Sequence, residues 1–184
     1  MSIGMKVYQK KAQRTSPNDG HDRLDNGVLG MIGEAGELVD VYKKWMYQSG
    51  PKAALPVKQI AEELGDMLWY MAEIAAGMES EMLDIIGSDF RDIDARVKRR
   101  PVKRTTIRGL VTSIAGRAYE LNRMICRSEW RGADTHMRRI IINMGHVAYK
   151  AGLTLEEIAE QNIEKLKKRY PKGFDAEISK GRYE

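Results

Sequence analysis

Cysteine is almost missing from this chain: Cys126 stands alone among 184 residues. No internal disulfide framework can form, and a reducing compartment is expected. Long apolar runs are missing too. None approaches the roughly 18 residues that a membrane span needs, so no membrane partner is expected. Residues 1–11 hold no apolar h-region, so no signal peptide is expected and the cytoplasm is the expected location. Strand patterning is nearly absent, and prolines number only five. What remains is 42% hydrophobic, too much for a disordered chain, and long enough for one compact domain or two small halves.

The charge excess is small, 31 basic against 26 acidic side chains, a weak argument for nucleic-acid binding. The charges are partly segregated, however. Acids crowd residues 34–81, and bases crowd 96–108 and 165–169. An acidic centre in a basic molecule suits a metal ion carrying a polyanionic substrate; two solvated faces of opposite sign would look the same in sequence.

Helical periodicity runs through nearly the whole chain. It predicts helices over 6–14, 22–47, 57–78, 82–99, 106–127, 134–151 and 154–169. Breakers separate them: Ser49-Gly50-Pro51 with Pro56, then Pro101, Gly132 and Gly152. Thr154-Leu155-Glu156-Glu157 reads as a capping box, Tyr170-Pro171-Lys172-Gly173 ends the last helix, and the tail 174–184 is expected to be partly ordered. The fold class is all-α.

A weak repeat divides the chain into halves, 1–100 and 101–184, joined by a basic linker over 97–104. Gly33-Glu34-Ala35-Gly36-Glu37-Leu38 is echoed by Gly116-Arg117-Ala118-Tyr119-Glu120-Leu121. Glu63-Leu64-Gly65-Asp66 is echoed by Asn143-Met144-Gly145-His146, and two further echoes follow in the same order. A duplicated, fused pair of helical units is expected, in which the second copy has lost acids. It could stand alone or form a homodimer.

The chemistry sits in the first half. Glu34 and Glu37 lie three residues apart on one helix, Glu63 and Asp66 three apart on the next, so each pair shares a helix face. That face also carries Met31, Leu38 and Trp45 on one helix and Ile60, Met67 and Ile74 on the other, so both pairs point toward the partner helix. Two carboxylates 4 Å apart repel by roughly 4 kcal/mol at an effective dielectric of about 20, a cost that a cation would offset. Hard oxygen donors without nearby histidine or cysteine select Mg²⁺, Mn²⁺ or Ca²⁺. Glu62 and Asp40 lie off these faces and are expected in solvent. Gly30, Gly33 and Gly36 each cost about 1 kcal/mol in a helix, which suggests close approach of a helix or a ligand there.

These motifs resemble the MazG-like all-α nucleoside triphosphate pyrophosphohydrolases, whose signature is an E-x-x-E pair followed by an E-x-x-D pair. Tyr8-Gln9, Arg14-Thr15 and the run Asn162-Ile163-Glu164-Lys165 through Arg169-Tyr170-Pro171-Lys172-Gly173-Phe174 add to the resemblance, which covers 6–76 and 151–174. The resemblance implies a helical bundle that cleaves an NTP or dNTP between the α and β phosphates, with a role in nucleotide pool cleaning. Glu34, Glu37, Glu63 and Asp66 would hold Mg²⁺ (or Mn²⁺), one glutamate would help to activate water, and Asn162 and Lys165 would contact the substrate. The chain departs from the family through some 70 extra residues in its middle, which the fused pair would explain. In the first half, Asn162 and Lys165 would correspond to Asp92 and Ala95, giving one composite site across both halves. A phosphoribosyl-ATP-type pyrophosphohydrolase or a low-turnover nucleotide or metal sensor are the alternatives.

Several other residues have plainer readings. Lys43 or Lys44 follows the first acid pair closely enough to touch phosphate. Arg117 is expected in a structural salt bridge, His146 as a satisfied core histidine, Cys126 as a small core residue, and His21 and His136 in loops or caps. Trp45 and Trp69 could stack on a base but suit helix packing better. The linker bases lack the interleaved aromatics of a nucleic-acid platform, so no specific nucleic acid is expected.

Overall fold

A computed structural model describes residues 3–17, 22–50, 52–102, 106–127 and 131–177. The helices are α1 (Met5–Ala12), α2 (Asp22–Lys44), α3 (Val57–Gly77), α4 (Met82–Ile86), α5 (Phe90–Arg99), α6 (Ile107–Cys126), α7 (Ala133–Lys150) and α8 (Leu155–Arg169). A 3-10 turn, Gln13–Thr15, continues α1, and a π-helical turn, Trp45–Ser49, continues α2. The described residues contain no strand. None of these helices is long and apolar enough to cross a membrane.

Local chemistry explains the boundaries. Thr154 and Glu157 form the expected capping box at the start of α8. The single helix expected over 82–99 is instead two. Gly87 adopts a left-handed φ of 73°, which stops α4, and the Asp89 carboxylate accepts the Phe90 N–H at 2.7 Å to start α5. Apolar periodicity on both sides of Gly87 hides that break. The α5 helix also runs into the expected linker, of which 103 and 104, like His21 and the tail beyond 177, lie outside the described residues.

Helices α2 and α3 form one antiparallel hairpin, and α6 and α7 form another. The hairpins pack with α2 against α6 and α3 against α7, which makes a four-helix layer around one core. Small residues let α2 and α3 approach closely. A Cβ on Gly27 would lie 3.0 Å from the Ile74 backbone, and one on Gly77 would lie 2.9 Å from the Leu24 backbone. A Cβ on Gly30 would lie 2.0 Å from the Tyr70 ring, so this glycine answers to a packed side chain.

The other helices cross between the halves. Helix α8 packs on α3, and α5 packs on α7. Gly65 carries Asn162 of α8, 3.1 Å from a would-be Cβ; Gly145 carries Ile93 and Val97 of α5, at 3.2 and 3.3 Å. Buried positions of α3 and α7 coincide at the offset the Gly65–Gly145 echo expects: Ile60, Ala61, Leu64, Met67 and Leu68 against Ile140, Ile141, Met144, Val147 and Ala148.

Asn143 Nδ2 donates to Ser113 Oγ at 3.0 Å, and Met124 Cε lies 3.4 Å from a would-be Cβ on Gly132, contacts that tie α6 to α7. The buried positions of α6 and α2 coincide at the offset of the Glu34–Arg117 echo: Val111, Ile114, Ala118 and Leu121 against Val28, Met31, Ala35 and Leu38.

Candidate metal centre

Glu34, Glu37 and Glu63 meet at the open edge of the α2–α3 hairpin. Each offers a carboxylate oxygen, and these atoms lie within 4.8 Å of one another. Glu34 and Glu63 are half-buried, and Glu37 is exposed. Glu34 and Glu63 face each other across the helix pair, close enough for each carboxyl group to shift the other's affinity for a proton. Burial first, then the neighbouring Asp66, Glu37 and Glu63, push the Glu34 pKa up to about 8. Burial also raises Glu63, while the facing Glu34 carboxyl and the nearby Lys165 charge pull it back. The arrangement stores carboxylate repulsion that a divalent cation would relieve.

Asp66 stands beside this triad rather than within it. Its carboxylate accepts Lys165 Nζ at 2.5 and 2.7 Å and Asn162 Nδ2 at 3.1 Å. Asn162 is only 3% exposed, and its Oδ1 accepts the Tyr8 hydroxyl at 2.9 Å. Tyr8 in turn packs edge-on against Phe90, with ring centroids 5.7 Å apart. A chain of contacts from α1 through α8 thus fixes where Asp66 points. Asn162, which the resemblance sets against the substrate, bonds Tyr8 and Asp66, and with Lys165 it also lines a depression of about 760 Å³ between α3 and α8. Lys165 is more open, its side chain 35% exposed.

Two depressions flank the carboxylates. One, of about 190 Å³, is lined by Glu34, Asp66, Trp69, Tyr70, Lys165 and Arg169, with Thr15, Tyr170 and Phe174 at its wall. The wall exists because Pro171 and Gly173 turn the chain back, so that the Phe174 N–H donates to the Arg14 carbonyl at 3.0 Å. In the sequence Arg169 belongs to a basic run and Tyr170 to the helix end, whereas Phe174 enters only through the resemblance. The other depression, of about 680 Å³, is lined by Glu37, Glu63, Lys44, Trp45 and the Gly33 and Gly36 backbone. Nothing lies within 4 Å of a would-be Cβ on either glycine, so these two leave open space where Gly30 does not.

The remaining residues fall as follows. Lys43 pairs with Asp40 and lines neither depression, whereas Lys44 pairs with Asp40 at 2.7 Å and lines the larger one. Glu62 is exposed, as expected. Trp69 Nε1 donates to Thr15 Oγ1 at 2.9 Å, and Trp45 Nε1 to the Ala53 carbonyl at 3.0 Å. Both indoles thus anchor packing while one edge faces a depression.

In the second hairpin, Ile93 occupies on Gly145 the place that Asn162 occupies on Gly65, so Arg96 corresponds to Lys165; Asp92 is exposed and serves the α5 cap. Arg117 makes no salt bridge among the described residues, and its buried Nε has no partner there. Cys126 is exposed, not core, because it follows Ile125 by one residue, which turns it off the buried face. His136 lies in the first turn of α7. His146 is half-buried with no hydrogen bond among the described residues, and burial, Lys150 and Arg96 hold its pKa below 6.5.

Comparison with protein-family models, curated proteins and solved structures finds no significant match.

Proposed function

We propose that this protein is a Mg²⁺-dependent nucleoside triphosphate pyrophosphohydrolase of the MazG-like kind, which converts an NTP or dNTP to the monophosphate and pyrophosphate in the cytoplasm. One observation carries the reading: three carboxylates from two facing helices converge within 4.8 Å beside an aspartate already held by a lysine.

The donors fit the ion. They are hard oxygens on an open edge, and burial together with the neighbouring carboxylates raises the Glu34 pKa, a cost that a cation would offset. Glu34, Glu37 and Glu63 would hold Mg²⁺, with Asp66 as a further ligand. When bound, the ion lowers the pKa of water and neutralises charge that develops on the phosphates. The chain's own residues do the rest. A deprotonated glutamate accepts the proton of the attacking water. The new bond forms at the α phosphorus, the bond to the bridging oxygen breaks, and pyrophosphate leaves with the electron pair. Lys165 and Arg169 stand where phosphate charge would pass the carboxylates. Asn162 acts as a positioning residue through Asp66. The smaller depression suits a base or sugar against Trp69 and Tyr70, since about 190 Å³ is less than the ~300 Å³ at which whole-ligand pockets begin.

The packing of α8 on α3 and of α5 on α7 supports descent from two fused units, with one working site. Turnover in ¹⁸O-water tests the reaction: label in the monophosphate supports attack at the α phosphorus, and label in pyrophosphate or no turnover contradicts it. Mg²⁺-dependent nucleotide binding without turnover would point to a sensor instead.

A further inference from the structure

The second hairpin carries a polar depression of its own, on the face where α5 packs against α7. It measures about 220 Å³ and is lined by Ser88, Arg96 and Arg138, with Ile142 as its apolar wall. Arg96 comes from α5 and Arg138 from α7, so two cationic side chains line it from different helices. Arg96 has no acidic partner among the described residues, and neither does Lys150. One turn beyond Ile142 lies His146, close enough to Arg96 and Lys150 to feel both charges. Arg138 is braced: its Nε donates to the Ile85 carbonyl at 2.7 Å, and a terminal nitrogen lies 3.5 Å from Asp134. Asp92 is the acid at the rim, and its carboxylate accepts the Asp89 N–H at 3.3 Å in the α5 cap.

The contrast with the first hairpin gives this depression its meaning. Lys165 lies on Asp66 as an attractive pair, whereas in the corresponding place Arg96 lies beside His146, with Lys150 near. Where the first hairpin gathers negative charge, the second sets Arg96, which has no acidic partner among the described residues, beside the Asp134-paired Arg138. Two arginines and a serine lining one depression suit the oxygens of a phosphoryl group, which accept several charge-assisted hydrogen bonds at once.

We infer that the α5–α7 depression is a second binding site, selective for a small phosphoryl anion of the size of phosphate or pyrophosphate, held by Arg96, Arg138 and Ser88. The inference stands without the catalytic reading, because none of these residues touches the carboxylate cluster. Its volume is short of the ~300 Å³ typical of whole-ligand pockets, so the anion enters alone or as the end of a larger phosphorylated molecule.

Calorimetric titration of the full chain with sodium pyrophosphate, in EDTA to keep divalent ions from the acidic site, tests it. Wild type is expected to bind with one site per chain. Arg96→Gln, which removes an exposed side chain with no partner to disturb, is expected to weaken binding about tenfold. Ser88→Ala gives a smaller loss, and Glu63→Gln gives none. The His146 ring resonances should shift on titration in wild type and not in Arg96→Gln at the same ligand concentration. Titrations with inorganic phosphate and with a nucleoside monophosphate separate a free anion from the end of a larger ligand. No binding, equal binding in wild type and Arg96→Gln, or loss of binding in Glu63→Gln overturns the site. Tighter, sequence-independent capture of duplex DNA through the same residues would overturn it in favour of a nucleic-acid surface.

Discussion

The α2–α3 and α6–α7 hairpins bury the same positions of their second helices and receive a crossing helix on the same glycine, yet they expose opposite chemistry. Gly65 and Gly145 each accept a helix at van der Waals distance, and the flanking apolar residues are buried alike. At the open edge the first hairpin sets Glu37 near Glu63, while the second sets Ser113 against Asn143. The first has Lys165 on Asp66; the second has Arg96 beside His146. Packing is thus specified by buried faces, and chemistry by the few residues that the packing leaves at the rim. A fold can keep the first and change the second, because the two sets scarcely overlap.

The sharpest break of this comparison is Glu63→Gln against Asn143→Ala. Loss of one cluster carboxylate should reduce pyrophosphate release by about 10²–10⁴-fold, the usual worth of a positioned acid–base group, with helical circular dichroism retained. Asn143→Ala should leave turnover unchanged and cost about 0.5–1.5 kcal/mol of stability, the value of one hydrogen bond.

Next in size is Asn162→Ala. It leaves the Tyr8 hydroxyl only the Gly65 carbonyl at 3.5 Å and takes a donor from Asp66, so about 1–3 kcal/mol should be lost in denaturant unfolding. Metal affinity or turnover should also fall about 10–100-fold, as for residues that orient ligands. Asn162→Asp, which keeps the size and the acceptor for Tyr8 but sets a carboxylate against Asp66, should restore stability less than activity data alone would suggest. An unchanged kcat and KM in Asn162→Ala would contradict the positioning role.

The two hairpins should also differ in their response to pH. The Glu34 pKa is raised to about 8 from its usual 4.5, so the folded protein holds a proton that the unfolded chain gives up. The contribution of Glu34 to stability without metal is therefore fullest below about pH 4.5 and is lost as pH rises through 8. Metal binding must displace that proton, so Mn²⁺ affinity should rise by about tenfold per unit between pH 6 and 8 and then level off. Glu34→Gln should flatten the profile, whereas Ser113→Ala should leave it intact.

The smallest expected effects separate close packing from open edges. Gly30→Ala drives a methyl into the Tyr70 ring and should cost about 1–3 kcal/mol. Gly116→Ala meets nothing within 4 Å and should gain about 0.5–1 kcal/mol through helix propensity. Equal and opposite results in thermal unfolding would invert this account of the hairpin contacts.

The sequence made the helices and the acids legible because both depend on local spacing. The capping box at Thr154 and the faces holding Glu34, Glu37 and Glu63 follow from side-chain period alone. Three features lay beyond it. The break at Gly87 needs a left-handed backbone that apolar periodicity on both sides conceals. Arg117, expected in a salt bridge, has none among the described residues, and only the neighbours that packing sets around α6 decide that. The engagement of Asp66 by Lys165 and Asn162 joins residues almost a hundred apart, and only tertiary packing of α8 on α3 brings them together.

The most direct test of the account is pyrophosphate release from a panel of NTPs and dNTPs in Mg²⁺, measured for wild type, Glu63→Gln and Asn143→Ala in parallel. The account predicts release from one or a few nucleotides by wild type and Asn143→Ala, and almost none by Glu63→Gln. Release that survives in Glu63→Gln, or none from any nucleotide with wild type, would contradict a catalytic metal centre in the first hairpin.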